Sequence, residues 1–328
     1  MMFKVGVVGF GVMGKNHVRI LNSLENVELV GVFDPAAGRI EHNGINLVTK
    51  SVEELLDQTL DYLVIASPTR THEGMMNIAI KEGVNFLVEK PFTHSLPSAI
   101  EIQREVEKKA LIASVGHIER FNSAVIKAKQ KILEGLLGKI YQIETYRQGP
   151  FPGRIVDVGV ISDLATHDID LVRWITDSEY SSVSASKTNK SGRDSEDLVL
   201  VMGTLNNGVI VSHSVNWLSP KKVRRVIITG ERGLLEINTL DSELIFYENG
   251  VNRNLQSSLA HFKGVTQGEV THFSFDKPEP LFTEHVDFQN YIRGEQNQQS
   301  NLTDGLMTMR TIDAIYQSAE LKESVNLS

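Results

Sequence analysis

The 328-residue chain contains no cysteine. Disulfide bridges, thiolate zinc sites and cysteine nucleophiles are all excluded. It also lacks any run approaching the roughly 20 apolar residues that a membrane-spanning helix needs. The opening "MMFKVGVVGFGVMGKNH" is apolar only briefly, because glycines and a lysine interrupt it, and no small-residue cleavage site follows. The expectation is a cytoplasmic protein with no leader and no membrane partner. Positive charge is in deficit too: 33 Lys and Arg stand against 41 Asp and Glu, a formal net charge of −8. That argues against a nucleic-acid or acidic-membrane surface, and leaves room only for a local basic pocket. There is no internal repeat and no low-complexity linker. The histidines are scattered, and no spacing points to a metal.

What is present has two halves. Apolar runs of strand length occur at 3–9, 27–34, 61–67, 85–90 and 111–117, with helical patterns near 13–24, 51–57, 71–82 and 95–109. Continuous apolar strands separated by helices predict a doubly wound parallel sheet covered on both faces. After a predicted helix over 119–134 the pattern changes to strand-like stretches with short turns, from "IYQIETYR" to "ELIFYE". Asn207-Gly208 between two of them is a hairpin signal. This half predicts an α+β domain with an open-faced, mostly antiparallel sheet. Helices are expected near 282–294 and 303–322, and a long loop over 252–274. One domain boundary is expected, between 118 and 119. A sheet open on one face would expose apolar surface, so a homo-oligomer, dimer or tetramer, is expected.

The first chemical signal is Gly9-Phe10-Gly11-Val12-Met13-Gly14, a G-x-G-x-x-G that follows a predicted strand and opens a predicted helix. Gly9 permits the tight turn, Gly11 lets the backbone approach a pyrophosphate, and Gly14 lets helix and strand pack closely. The helix N-terminus supplies donors to the anion. Asp34 ends the next strand about 20 residues on, where an acid meets the ribose hydroxyls. An acid there repels a 2′-phosphate, so NAD is favoured over NADP, although Arg39 is near. "SPTRTH", with Ser67, Thr69 and His72, and "EKPF", with Glu89 and Lys90, follow two further strands, at the end of the sheet where such folds bind ligands.

A second signal lies in "DVGVISDLATHDID". Asp163, His167 and Asp170 are spaced four and three apart and share one helix face, while Leu164, Leu171, Val172 and Ile175 lie opposite. Acids early in a helix are common, because they favour its N-terminal dipole. Asp163 and Asp168 alone therefore signify little, and Asp170 is expected to be a solvated or hydrogen-bonded neighbour.

Together, the glycine turn, "SPT", "EKP" and Asp163-x-x-x-His167 resemble the Gfo/Idh/MocA family (glucose–fructose oxidoreductase/inositol dehydrogenase), over nearly the whole chain. The resemblance implies a Rossmann domain carrying NAD(P), an open-faced β-sheet domain, and oxidation or reduction of a sugar carbon. The family's lysine falls on Lys90, and its acid and histidine on Asp163 and His167. Glycines usual around the acid are replaced here by Val160 and Ala165.

"VGHIERFNSAV" and "YRQGPFPGRIVDVGVISDLATHDID" resemble a narrower group, the UDP-N-acetylglucosamine and uronate 3-dehydrogenases. These oxidise a C3 hydroxyl to a ketone, commonly ahead of an aminotransferase. The resemblance implies a nucleotide-sugar substrate. His167 would be the base, Lys90 a donor to the developing alkoxide, and Asp163 would orient substrate, with the roles of Lys90 and His167 exchangeable. Arg120, Arg147 and Arg154 are candidates for the pyrophosphate, and Asn122 for the sugar or its acetamide. The basic run "KKVRR" reads as edge protection or a subunit contact. The alternatives are another sugar or polyol dehydrogenase, an NAD-dependent glycosidase that oxidises C3 transiently, and a non-catalytic NAD-binding regulator.

Overall fold

The computed structural model describes residues 2–36, 49–153, 158–250 and 266–327. Arg39 and Arg154 lie outside the described residues. Among those described, no helix is long and apolar enough to cross a membrane.

Two compact units form, Met1–Phe121 with Pro278–Arg310, and Asn122–Lys277 with Thr311–Ser328. In the first, the strands are β1 (Phe3–Val8), β2 (Val27–Phe33), β3 (Tyr62–Ile65), β4 (Asn85–Glu89) and β5 (Ala113–Gly116). They form one sheet in the order β2-β1-β3-β4-β5, with every pairing parallel. Tyr62, Leu63, Val64 and Ile65 are all fully buried, as a strand covered on both faces requires. Helices α1 (Val12–Leu21), α2 (Val52–Leu56), α3 (Thr69–Glu82) and α4 (Leu96–Lys108) lie between the strands. Chain order reverses between β1 and β3, so the loops after these two strands flank the crevice where doubly wound sheets bind ligands.

The predicted 119–134 helix is split. A 3₁₀ turn, Ile118–Phe121, ends at Asn122, whose side chain accepts from the Ala124 amide and caps α5 (Ser123–Leu133). An asparagine just before an apolar-periodic run is an N-cap signal. The segment 278–310 belongs to the first unit, not to the second as the single expected boundary placed it. Its helix α6 (Pro280–Ile292) buries Leu281 and Phe288 in the same cluster as Phe3, Val5 and Leu87 of the parallel sheet.

The second unit holds a sheet of nine strands among the described residues. These are β6 (Ile140–Pro150), β7 (Tyr180–Thr188), β8 (Leu198–Leu205), β9 (Ile210–Asn216), β10 (Leu218–Gly230), β11 (Gly233–Asn238), β12 (Glu243–Gly250), β13 (Thr266–His272) and β14 (Val325–Asn326). Their order is β13-β12-β11-β10-β6-β9-β8-β7-β14. Only β6–β9 is parallel. Part of the expected 252–274 loop is thus strand β13, paired antiparallel to β12, and its exposed polar side chains gave it a loop-like sequence. The "KKVRR" run spans an edge and an interior stretch: Val223 and Arg224 are in register with β6 but not with β11. Over Arg225–Thr229, β10 is an interior strand between β6 and β11, and Arg225 forms a 2.8 Å cross-strand ion pair with Glu236.

A buried histidine contributes to the core of this unit. His213 is 1% exposed, with its ring between the Thr145 hydroxyl at 2.7 Å and the Tyr180 hydroxyl at 2.8 Å. Burial, and secondarily the charge of Arg147, pushes its pKa down to about 3. The folded ring stays neutral while the unfolded one takes a proton near pH 6.5, so stability falls as pH drops from 6.5 toward 3. By pH 4.5 this single site removes roughly 3 kcal/mol. Urea denaturation at pH 7 and 4.5 is expected to show that loss, and a His213→Gln chain is expected to lose correspondingly less.

Candidate active site

The glycine turn is built as its spacing predicts. Gly9 sits at φ +94°, and a Cβ on it would meet the Ala66 carbonyl at 2.6 Å. A Cβ on Gly14 would lie 2.0 Å from the Gly9 carbonyl oxygen. Both positions exclude any side chain, because the end of β3 and the first turn of α1 crowd the same few ångströms. Gly11 differs, since a Cβ there would meet nothing. It is the N-cap of α1, has no side-chain cap bond, and is followed by the exposed Val12 and half-buried Met13. An uncapped helix start under an open glycine fits a dinucleotide pyrophosphate.

Asp34 ties the turn to β2. Its Oδ2 accepts from the Phe10 amide at 2.7 Å and its Oδ1 from the Ala36 amide at 2.8 Å. An ionised carboxylate has about four acceptor sites, so these two bonds hold it rigid and leave capacity for ribose hydroxyls.

The other two loops are linked to each other. The Ser67 hydroxyl pairs with that of Thr71 at 2.7 Å, just beyond Thr69, the first residue of α3. His72 is buried, its Nε2 2.7 Å from the Ser67 carbonyl and its Nδ1 3.0 Å from the Pro91 carbonyl. It therefore clamps "SPT" to "EKP" from a buried position. Burial is the main cause of its lowered pKa. Lys90 follows β4 directly and is half-buried. Glu89 accepts from His17 Nε2 at 3.0 Å. Burial works to raise the Glu89 pKa, but the hydrogen bond from His17 and the positive charge nearby, Lys90 included, outweigh it and hold the group below its usual range.

In the second unit the polar helix is not regular. A π-turn, Ile161–Ala165, precedes α7 (Thr166–Thr176), so Asp163 lies on the turn and His167 at the start of the α-helix. Single π-turns within helices frequently mark functional sites. Periodicity reading cannot find them, because one added residue per turn barely changes the apolar pattern. Gly159 explains the local folding. A Cβ there would meet the Glu196 carboxylate at 2.0 Å, and that carboxylate accepts from the Ile161 amide and the Tyr316 hydroxyl. Asp163 is 8% exposed and His167 half-buried. Leu164, Leu171, Val172 and Ile175 are buried as expected.

Several neighbours differ from the reading of the sequence. Of the two forms expected for Asp170, the partnered one is found: it is 1% exposed and 3.9 Å from Arg173. Asp168 is not a surface acid: it accepts from Arg147 Nε at 2.8 Å, in an ion pair whose side chains are 2% and 4% exposed. Arg147 is thereby turned inward, where it answers a buried carboxylate. Arg120 is likewise buried, 3.1 Å from Asp304. Asn122 gives its amide to the Thr239 carbonyl and its oxygen to the α5 cap. The described candidates for the nucleotide's phosphates and acetamide are all engaged inside the protein.

Comparison with known proteins matches both halves. Residues 3–117 match the model "Oxidoreductase family, NAD-binding Rossmann fold", and residues 125–236 match the "GFO/IDH/MocA C-terminal domain". The chain is 28% identical to UDP-N-acetylglucosamine 3-dehydrogenase of Acidithiobacillus ferrooxidans over 317 residues, covering 96% of this chain and 95% of that protein. A solved structure of UDP-N-acetylglucosamine 3-dehydrogenase from that organism superposes with a TM-score of 0.85 at 26% identity, covering 98% of each chain. The scyllo-inositol 2-dehydrogenase (NAD(+)) of Bacillus subtilis is 33% identical over 191 residues, covering 55% of this chain and 56% of that protein. An Agrobacterium radiobacter oxidoreductase solved in complex with NAD+ shares the fold, with a TM-score of 0.83 at 18% identity over 99% of this chain and 98% of that one. With a glycine turn built to take a dinucleotide and both domain models matched in order, the chain belongs to the Gfo/Idh/MocA family and is an NAD-binding oxidoreductase.

Proposed function

We propose that this enzyme oxidises the C3 hydroxyl of a UDP-N-acetylhexosamine, UDP-N-acetylglucosamine foremost, to the 3-keto sugar. The observation that carries the reading is the similarity to a UDP-N-acetylglucosamine 3-dehydrogenase along the full length of both chains. The presence of Lys90 after "E" in "EKP" and of Asp163-x-x-x-His167 supports this reading. Bound NAD supplies the acceptor for the C3 hydride. His167 takes the hydroxyl proton, since an imidazole suits a base at neutral pH. Lys90 donates to the oxygen as charge develops on it. Asp163 orients the sugar. Lys90 and His167 can exchange these two roles. The Asp34 carboxylate at the ribose favours NAD over NADP.

A second reading, a polyol dehydrogenase acting on an inositol-like ring, is favoured by one feature. Arg120 and Arg147 are buried in ion pairs, so neither presents a ready phosphate site. The similarity to scyllo-inositol 2-dehydrogenase fits this reading. The assay that separates them follows the NADH absorbance band with purified protein, NAD, and a panel of UDP-N-acetylglucosamine, its uronate, UDP-glucose and scyllo-inositol. A signal confined to an acetylated UDP-sugar is expected. A signal with inositol alone selects the second reading.

Leu200, Met202 and Ile210 are each more than half exposed, and the register Thr204↔Ile210 puts them on one face of β8 and β9. This patch supports a homo-oligomer. An aminotransferase acting on the ketone is the expected functional partner.

A further inference from the structure

Behind Glu89 lies a continuous line of buried polar groups that neither hydride transfer nor cofactor binding explains. Asn26 Nδ2 donates to Gln289 Oε1 at 2.7 Å, and Gln289 Nε2 donates to the Tyr62 hydroxyl at 3.5 Å. The Tyr62 hydroxyl is 3.3 Å from His285 Nδ1, His285 Nε2 is 2.9 Å from His17 Nδ1, and His17 Nε2 is 3.0 Å from Glu89 Oε1. Tyr62, His17 and His285 have no exposed surface, and Gln289 has 1%.

The proton placement follows from satisfying every member. The Tyr62 oxygen accepts from Gln289, so its own proton needs an acceptor, and His285 Nδ1 is the one within reach. His285 then carries its proton on Nε2 and donates to His17 Nδ1, and His17 donates from Nε2 to Glu89. The reverse arrangement, with His285 donating to Tyr62, leaves the tyrosine proton without an acceptor among fully buried groups, which is costly. Every donor therefore points toward Glu89.

The cluster admits one negative charge. Glu284, on α6, is fully buried, and burial, with the charges of Glu89 and Asp287, holds its pKa well above the usual range. Two carboxyl groups in one apolar region thus divide into a neutral acid and an anion. The groups that face Glu89 are His17 from α1, His72 from α3, Glu284 from α6 and its own neighbour Lys90.

We propose that His17 and His285 are positioning residues: with Tyr62 and Gln289 they form a one-way donor chain that holds the Glu89 carboxylate ionised and fixed beside Lys90, at the cofactor end of the sheet. The inference rests on the cofactor side of the reading above and not on the identity of the sugar. Without the chain, burial acts on Glu89 against the charge of Lys90 with no hydrogen bond from His17, and its carboxyl keeps a proton to higher pH.

NAD affinity, titrated by calorimetry from pH 5 to 8 without sugar, tests this in wild type, His17→Leu, His17→Gln, Glu89→Gln and His17→Leu/Glu89→Gln. His17→Leu is expected to weaken NAD binding about tenfold or more at pH 6, the size of a lost hydrogen bond to a charged group. The acid limb of the affinity profile moves to higher pH in this variant. His17→Gln, which keeps a donor, recovers part of the loss. Adding His17→Leu to Glu89→Gln changes little, because the histidine acts through the carboxylate. Additive losses with an unmoved acid limb would overturn the proposal. A measurement needing no folded variant is the ¹⁵N spectrum of histidine-labelled wild type, in which both rings are expected as Nε2–H tautomers. An Nδ1–H tautomer at either ring would also overturn it. Failure of the sugar assignment leaves both experiments untouched, since neither contains a sugar.

Discussion

Lys90→Met is expected to lower kcat/KM for sugar-dependent NAD reduction by about a hundredfold to a thousandfold, the usual loss when one donor to a developing oxyanion is removed. Lys90 directly follows β4, half-buried and next to an anchored carboxylate, so methionine preserves its volume and removes only the charge. The cofactor should still bind, because the glycine turn and Asp34 are built from other strands. His167→Ala is expected to fall by a comparable or larger factor, about 10²–10⁴. The pH profiles then divide the labour: the variant that loses the acid limb of kcat/KM has lost the base. Single-turnover absorbance measurements check both. A Lys90→Met enzyme within a few-fold of wild type would remove the lysine from the chemistry.

Arg147→Met is expected to destabilise the protein by about 3–5 kcal/mol, because it leaves the Asp168 carboxylate buried and without its guanidinium. The side chains of this pair are 4% and 2% exposed, so solvent screening offers little relief. The double variant Arg147→Met/Asp168→Leu is expected to recover most of the loss, since two apolar residues replace two desolvated charges. Urea denaturation of the three chains measures this. A loss below about 1 kcal/mol for Arg147→Met would show a pair behaving like a surface ion pair. The experiment bears on function as well as stability. A structural Arg147 leaves substrate affinity near wild type wherever the variant is folded, whereas a phosphate-binding Arg147 raises KM.

The same residue shows where the sequence was legible and where it was not. Elements dictated by local chemistry could be read directly: the apolar runs of β1, β3 and β4, the glycine turn, and the apolar side of the helix that carries His167. Their signals lie within a few consecutive residues. The arginines misled because their partners are distant. Asp168 is 21 positions from Arg147, and Asp304 is 184 positions from Arg120. A basic residue in a group-like stretch reads the same whether it faces a phosphate or a buried acid. Helix α6 is visible as an amphipathic pattern, but periodicity does not say which sheet its apolar face covers, and the segment packs with the first unit. The His17–His285 contact spans 268 positions and has no local signature at all. Polar groups buried by the tertiary fold account for most of what the sequence concealed.

The most direct test of the proposed chemistry follows one hydrogen. UDP-N-acetylglucosamine carrying deuterium at C3 is incubated with the enzyme and NAD, and the sugar and cofactor are then separated and weighed by mass spectrometry. Transfer of the deuterium to the nicotinamide, with a 3-keto sugar of matching mass loss, is the predicted result. Deuterium retained at C3, with no labelled NADH formed, would contradict C3 oxidation of this substrate.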